Sequence, residues 1–180
     1  GHPDRYDNFT IMFDIDKNIA KAETMPREFY ISTDVFEHTK GLFSKSWQFL
    51  SNTEGHKGFP FVSPEFILPG FLNEPVLITK ESDGMPKCVS NVCTHRANLL
   101  VNEATKCHEI RCKYHGRRFT LDGKFKSMPS FDGVENFPCD RDNLTELKVE
   151  LFAGLMFTSI KPAHSFKAVF GAMINRMSFL

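Results

Sequence analysis

Cys93-Thr94-His95-Arg96 and Cys112-Lys113-Tyr114-His115-Gly116 are the two short stretches on which the reading of this chain turns. Their pattern is C-x-H, sixteen residues, then C-x-x-H. Each Cys/His pair is too close in sequence to chelate from a long regular element, so both stretches must bend tightly. Gly116 eases the second bend. The sixteen intervening residues, with the run Glu109–Arg111 among them, suffice for a hairpin that brings the loops together. Thiolates with imidazoles suit zinc or iron–sulfur chemistry. A structural zinc finger usually groups its cysteines first and its histidines second. Here each loop supplies one of each, which suits a two-iron cluster in which one iron takes both thiolates and the other both imidazoles. The candidate ligands are Cys93, His95, Cys112 and His115.

Around these loops, from Trp47 to Ile160, short apolar runs alternate with turn residues. The runs are Trp47–Leu50, Phe59–Val62, Phe66–Leu68, Pro75–Thr79, Cys88–Val92, Arg118–Thr120, Leu147–Phe152 and Leu155–Ile160. Between them lie Asn73-Glu74, Asp83-Gly84, Asp122-Gly123, Asp132-Gly133 and Gly154, and Asp-Gly pairs between apolar runs signal hairpins. The expected fold is mainly β, built of short antiparallel strands. Upstream, Thr33 or Asp34 can cap a helix over about 34–45 with Val35, Phe36, Leu42 and Phe43 as its apolar stripe. Before Met25 only Ile11, Met12 and Phe13 cluster, which reads as a partly ordered extension. Downstream, Phe166, Val169, Phe170, Met173, Ile174 and Met177 follow the spacing of an amphipathic helix. Its stripe either packs on its own domain or awaits a partner. The chain thus divides into an extension with a leading helix (1–45), a β domain (46–162) and a terminal helix (163–180).

Composition narrows the function. Among 180 residues, 22 Lys+Arg balance 22 Asp+Glu, so net charge gives no reason to expect a nucleic-acid or membrane-surface partner. No run approaches the roughly 18 apolar residues of a membrane span, and the N-terminus lacks the apolar stretch of a signal peptide. Five cysteines without a secretory signal favour a reducing, cytoplasmic setting. Cys88, Cys107 and Cys139 read as ordinary thiols, His108 as a bystander near Cys112, and His2, His38, His56 and His164 as histidines without metal-spaced neighbours. Trp47 reads as core, and 19 Phe promise an aromatic-rich one.

Equal ligation of a [2Fe–2S] centre by Cys and His is the Rieske arrangement. The stretches CVSNVCTHRANLL (from Cys88) and CKYHGRRFTLDGKFKSMP (from Cys112) resemble the Rieske domain of ring-hydroxylating oxygenase α subunits. EFYISTDVFEHTKGLFSKSWQFL is similar to that family's leading helical segment, and HSFKAVFGAMINRMSFL to the helix after its Rieske domain. The resemblance implies a Rieske-type iron–sulfur fold with flanking helices, Cys93 and Cys112 on one iron, and His95 and His115 on the other. It implies a ferredoxin or flavin reductase as electron donor, a mononuclear-iron catalytic domain as acceptor, and a homotrimer for the full-length protein. Two positions depart from the family: Ala97 replaces its usual Gly, and Arg117 its usual Trp, which puts the aromatic packing beside the cluster in question.

No catalytic residue is expected. After His115 the chain has only His164, so the two-His-one-carboxylate site of the hydroxylases cannot be built from it, and the chain is expected to stop short of the catalytic domain. The positions resembling the extra cysteines of respiratory Rieske proteins hold Asn98 and Tyr114, and those resembling their Ser and Tyr hydroxyl donors hold Arg117 and Phe119. Lacking that disulfide and those hydroxyls, the cluster is expected at the low end of the Rieske range, about −150 mV. Arg111, Lys113, Arg117 and Arg118 form a basic strip. It reads either as a solvated rim or, with Arg96, Tyr114 and Gly116 near the ligands, as a second shell or docking patch for an acidic electron donor. Alternative readings are a free-standing Rieske ferredoxin and, from another class, a structural zinc-binding interaction domain.

Overall fold

A computed structural model describes residues 15–54, 61–81, 84–131 and 133–179. The cluster Ile11–Phe13, Phe59, Asp83, Asp132, His2 and His56 lie outside the described residues. Two helices lead, α1 (Arg27–Ile31) and α2 (Thr33–Ser44). The cap of α2 is Ser32, one residue before the expected pair: its hydroxyl accepts from Val35 N at 3.4 Å. Of the expected stripe only Val35 is buried, while Phe36 and Phe43 meet Phe71 edge to face at 5.3 Å each.

Nine strands follow among the described residues: β1 (Gln48–Asn52), β2 (Phe61–Ile67), β3 (Glu74–Lys80), β4 (Lys87–Ser90), β5 (Ile110–Arg111), β6 (Arg118–Phe119), β7 (Phe125–Ser127), β8 (Glu146–Phe152) and β9 (Leu155–Ser159). All pair antiparallel. Six make one sheet in the order β1-β9-β8-β4-β3-β2, curled until its two edge strands meet, so the sheet is nearly closed. The other three form a small sheet, β5-β6-β7. Helix α3 (Phe166–Arg176) follows β9, capped by the Ser165 hydroxyl.

The sequence splits β2 into two runs at Pro64; the structure joins them. A proline removes one ladder donor, which an edge strand tolerates, and β2 is an edge. The run Pro75–Thr79 is continuously apolar because β3 is covered on both sides. Val76 and Ile78 face one core with Leu50, Phe61, Ile67, Cys88, Leu147 and Met156, and Leu77 faces the other. That second core holds Val62, Val89, Leu100, Ile110, Phe119 and Leu121, and within it Cys93 and Cys112. The period-2 alternation of strand side chains divides β2, β3 and β4 between the two. The core is not aromatic-rich as the phenylalanine count promises: among the described residues only Phe61, Phe119 and Phe166 are buried phenylalanines, and aliphatic side chains fill most of it.

Trp47 is core, as expected. Its indole N–H donates to His164 O at 2.9 Å and its ring meets Phe166 edge to face, so one side chain ties α2's end to α3's start. Only Phe166 of the α3 stripe is buried. Phe170 rests on Phe157, and Val169 stays half exposed.

Candidate metal centre

The two Cys/His loops are near copies in backbone. In the first, Ala97 N donates to Cys93 O (2.9 Å) and Cys93 N to Asn98 O (2.9 Å); in the second, Gly116 N donates to Cys112 O (3.0 Å) and Cys112 N to Arg117 O (2.8 Å). Each loop therefore closes on its cysteine through the residues four and five places on. Each also needs a left-handed residue at the fourth place, Ala97 at φ 51° and Gly116 at φ 77°. A Cβ at Gly116 would press Pro129 Cγ at 3.3 Å as well. Ala97 adopts that conformation with its Cβ in place, at a cost of about 1–2 kcal/mol.

Asn91, fully buried, fixes the approach to the first loop. Its carboxamide donates to Val101 O (2.8 Å) and accepts from Val101 N (3.0 Å), clamping the segment that leaves the loop to the one that enters it. The sequence reading passes it over. A polar residue two places before Cys93 within an apolar run is the signal that could have found it.

The four donors stand as two pairs. Cys93 and Cys112 are buried and their thiols hydrogen-bond one another. Outside them the His95 and His115 rings meet edge to face with centroids 4.8 Å apart, half exposed. Burial pushes the Cys93 thiol up. Burial works against the Cys112 thiolate too, but N–H donors at Tyr114 and His115, the Cys93 thiol and the Asn98 amide outweigh it and hold Cys112 below the ordinary thiol value. Burial first, then the charges of His115, Arg117 and Arg96, lowers His95 below the ordinary imidazole value. The buried Nδ1 of His115 has no hydrogen-bond partner. That unpartnered ring nitrogen, with a cysteine sulfur already met by N–H donors, fits a metal cluster. A thiol pair and an imidazole pair set apart fit two irons better than one zinc.

The remaining predicted residues distribute as follows. Tyr114 is exposed and tilts over His115 at 3.9 Å. Arg96, Arg111 and Lys113 are exposed. Arg118 lies 3.3 Å from Glu109, which also binds Lys126 at 2.8 Å, so one carboxylate partly neutralises the strip. Arg117 corrects the sequence reading. It is 3% exposed and belongs to no surface strip. Its guanidinium donates to Thr94 Oγ1 (2.8 Å), Asp142 Oδ1 (3.1 Å) and Met128 Sδ (3.2 Å), and lies over the rings of Phe125 and Phe137. The aromatic packing survives, wrapped around a cation instead of a Trp. Phe131, a residue the sequence does not single out, packs edge to face on His95 at 5.8 Å. Cys88 is buried in the other core, Cys107 and Cys139 are half-buried, and exposed His108 stands apart from the four donors.

Residues 69–138 match the Rieske [2Fe–2S] domain. The chain is 33% identical over 142 residues to the carnitine monooxygenase oxygenase subunit of Acinetobacter pittii, covering 77% of this chain and 37% of that one. It is 29% identical over 98 residues to the large oxygenase component of naphthalene 1,2-dioxygenase of Pseudomonas putida, covering 53% and 21%. The crystal structure of a quaternary ammonium Rieske monooxygenase, CntA, superposes with a TM-score of 0.76 at 28% identity, over 88% of this chain and 46% of that one. Residues 69–138 are thus a Rieske [2Fe–2S] domain, and the cofactor this domain implies is a Rieske-type [2Fe–2S] cluster. Its homologues are the α subunits of Rieske oxygenases, to whose N-terminal part it corresponds; it spans well under half the length of the curated relatives it matches.

Proposed function

We propose that this chain relays single electrons within a ring-hydroxylating-type oxygenase, taking them from a ferredoxin or flavin reductase and passing them toward the mononuclear iron of a catalytic domain. The supporting observation is the polarity of the donor set: Cys93 and Cys112 buried in the core, His95 and His115 half-buried outside them. The bound cluster supplies reversible one-electron chemistry at a low potential. The buried thiols and Leu100, Ile110 and Phe119 behind them keep water from the inner side. The imidazole edges offer a short path for electrons at the outer side. Exposed Arg96, Arg111 and Lys113 surround that outlet and would attract an acidic donor.

On this reading residues 46–162 are the electron-transfer unit, 1–45 a leading extension, and 163–180 the connection to the catalytic domain, with a homotrimer as the assembly and the cytoplasm as its place. No helix among the described residues is long and apolar enough to cross a membrane.

Purified protein tests the reading directly. It should be red-brown, carry iron and acid-labile sulfide in equal amounts, and give a Rieske electron paramagnetic resonance spectrum once reduced. Cys112→Ser should abolish the signal. A colourless, zinc-loaded protein overturns the assignment. Reduction by an acidic ferredoxin should slow as ionic strength rises; a rate indifferent to salt removes the docking patch.

A further inference from the structure

The Asn98 side chain lies half-buried between the two loops. Its backbone carbonyl accepts the N–H of Cys93, holding it to the first loop. Its side-chain Nδ2 then reaches the second loop, 3.7 Å from Cys112 Sγ, while also donating to Leu99 O at 2.7 Å. The Leu99 carbonyl can only be met by N–H, so it fixes the amide's orientation and aims the second hydrogen at the sulfur. One residue therefore touches both cysteines through donors and acceptors that cannot rotate away.

We propose that the Asn98 carboxamide is a positioning residue that tunes the redox centre through an N–H···S bond to the Cys112 thiolate. This rests on the reading of Cys112 as a cluster ligand. A hydrogen bond to a ligand sulfur stabilises the form with more negative charge, which is the reduced one, and so raises the potential. No covalent bond forms or breaks and no proton moves; the single electron comes from the reductase or an electrode. The bond also spans the loops, starting from a position that resembles one end of the respiratory proteins' cross-loop disulfide. A carboxamide supplies the link without a redox-active bridge of its own. The sequence, which offers neither the disulfide nor a hydroxyl donor, gives no hint of this one.

Film voltammetry on the cluster-loaded full chain tests it with two variants. Asn98→Leu keeps the volume and removes the N–H, and its midpoint should move negative. Asn98→Asp places an ionised acceptor beside the sulfur and should move it further the same way. Wild-type potential in both variants overturns the proposal. Pulsed electron paramagnetic resonance of reduced wild-type protein labelled with ¹⁵N at asparagine decides the matter where variants fail to assemble. A weak ¹⁵N coupling supports the bond, and its absence overturns it. The two readings separate cleanly: wild-type protein without iron and sulfide sinks the cluster, while a normal cluster with an unmoved potential sinks only Asn98.

Discussion

Arg117 Nη1 sits 3.1 Å from Asp142 Oδ1, an ion pair whose cationic side chain is 3% exposed. The same guanidinium nitrogen donates to the Thr94 hydroxyl, and that hydroxyl donates in turn to Asp142 O at 2.8 Å. Thr94 separates Cys93 from His95, so the pair ties the first loop to the second loop's exit and to the 3₁₀ turn Asp140–Asp142. Removing one member of a buried pair leaves an uncompensated charge. Arg117→Ala should therefore cost roughly 3–5 kcal/mol, read as a lower denaturant midpoint with loss of iron. Arg117→Lys should recover little of it, since one ammonium cannot meet three acceptors and two rings. Full recovery by Lys would count against this network.

Acid should expose the same pair. Burial would push the Asp142 carboxyl up, but the Cys139 N–H and thiol and the Arg117 guanidinium outweigh it and hold the carboxyl below the usual carboxylate range. A folded-state pKa below the unfolded one adds stability above the unfolded value of about 3.9, lost as pH falls through the folded value. Melting temperatures of wild type and Asp142→Asn should differ most near pH 7 and converge on acidification. A constant gap down to pH 3 would refute this.

Ala97 holds a left-handed backbone that its loop twin gives to Gly116. Ala97→Gly relieves the Cβ strain, about 1–2 kcal/mol, and loosens the unfolded chain by about half that. A net gain of up to about 1 kcal/mol is expected in equilibrium unfolding. The mirror change, Gly116→Ala, should cost at least as much, because Pro129 crowds its Cβ.

Thiol reactivity should sort the remaining cysteines. Burial pushes Cys88 up to about 12, and none of its surface is exposed. At pH 8 its thiolate fraction is about 10⁻⁴, so iodoacetamide should leave it unmodified until the chain is unfolded. Half-buried Cys107 and Cys139 should label first in the native protein. Mass spectrometry showing Cys88 alkylated alongside them would mean its core opens readily.

The two tight loops were legible in the sequence because each Cys/His pair is local, and two close pairs specify two sharp bends. So was the β texture, although Pro64 hid half of β2 and the Ser32 cap lay one residue early. Arg117 was misread because its partners lie 23 and 25 residues away, and only the folded chain turns a basic run into one buried cation beside exposed ones. The equivalence of Ala97 and Gly116, four residues after each cysteine, was present in the sequence but becomes meaningful only with their shared positive φ.

Strands β2, β3 and β4 send alternate side chains into the closed sheet on one side and the thiol-bearing core on the other. They are a party wall, and neither room can be demolished alone. Pulling the cluster out strips Cys93 and Cys112 from one face of Leu77 and Val89, whose neighbours Val76, Ile78 and Cys88 hold the barrel together. Iron release and unfolding should then coincide as a single cooperative event.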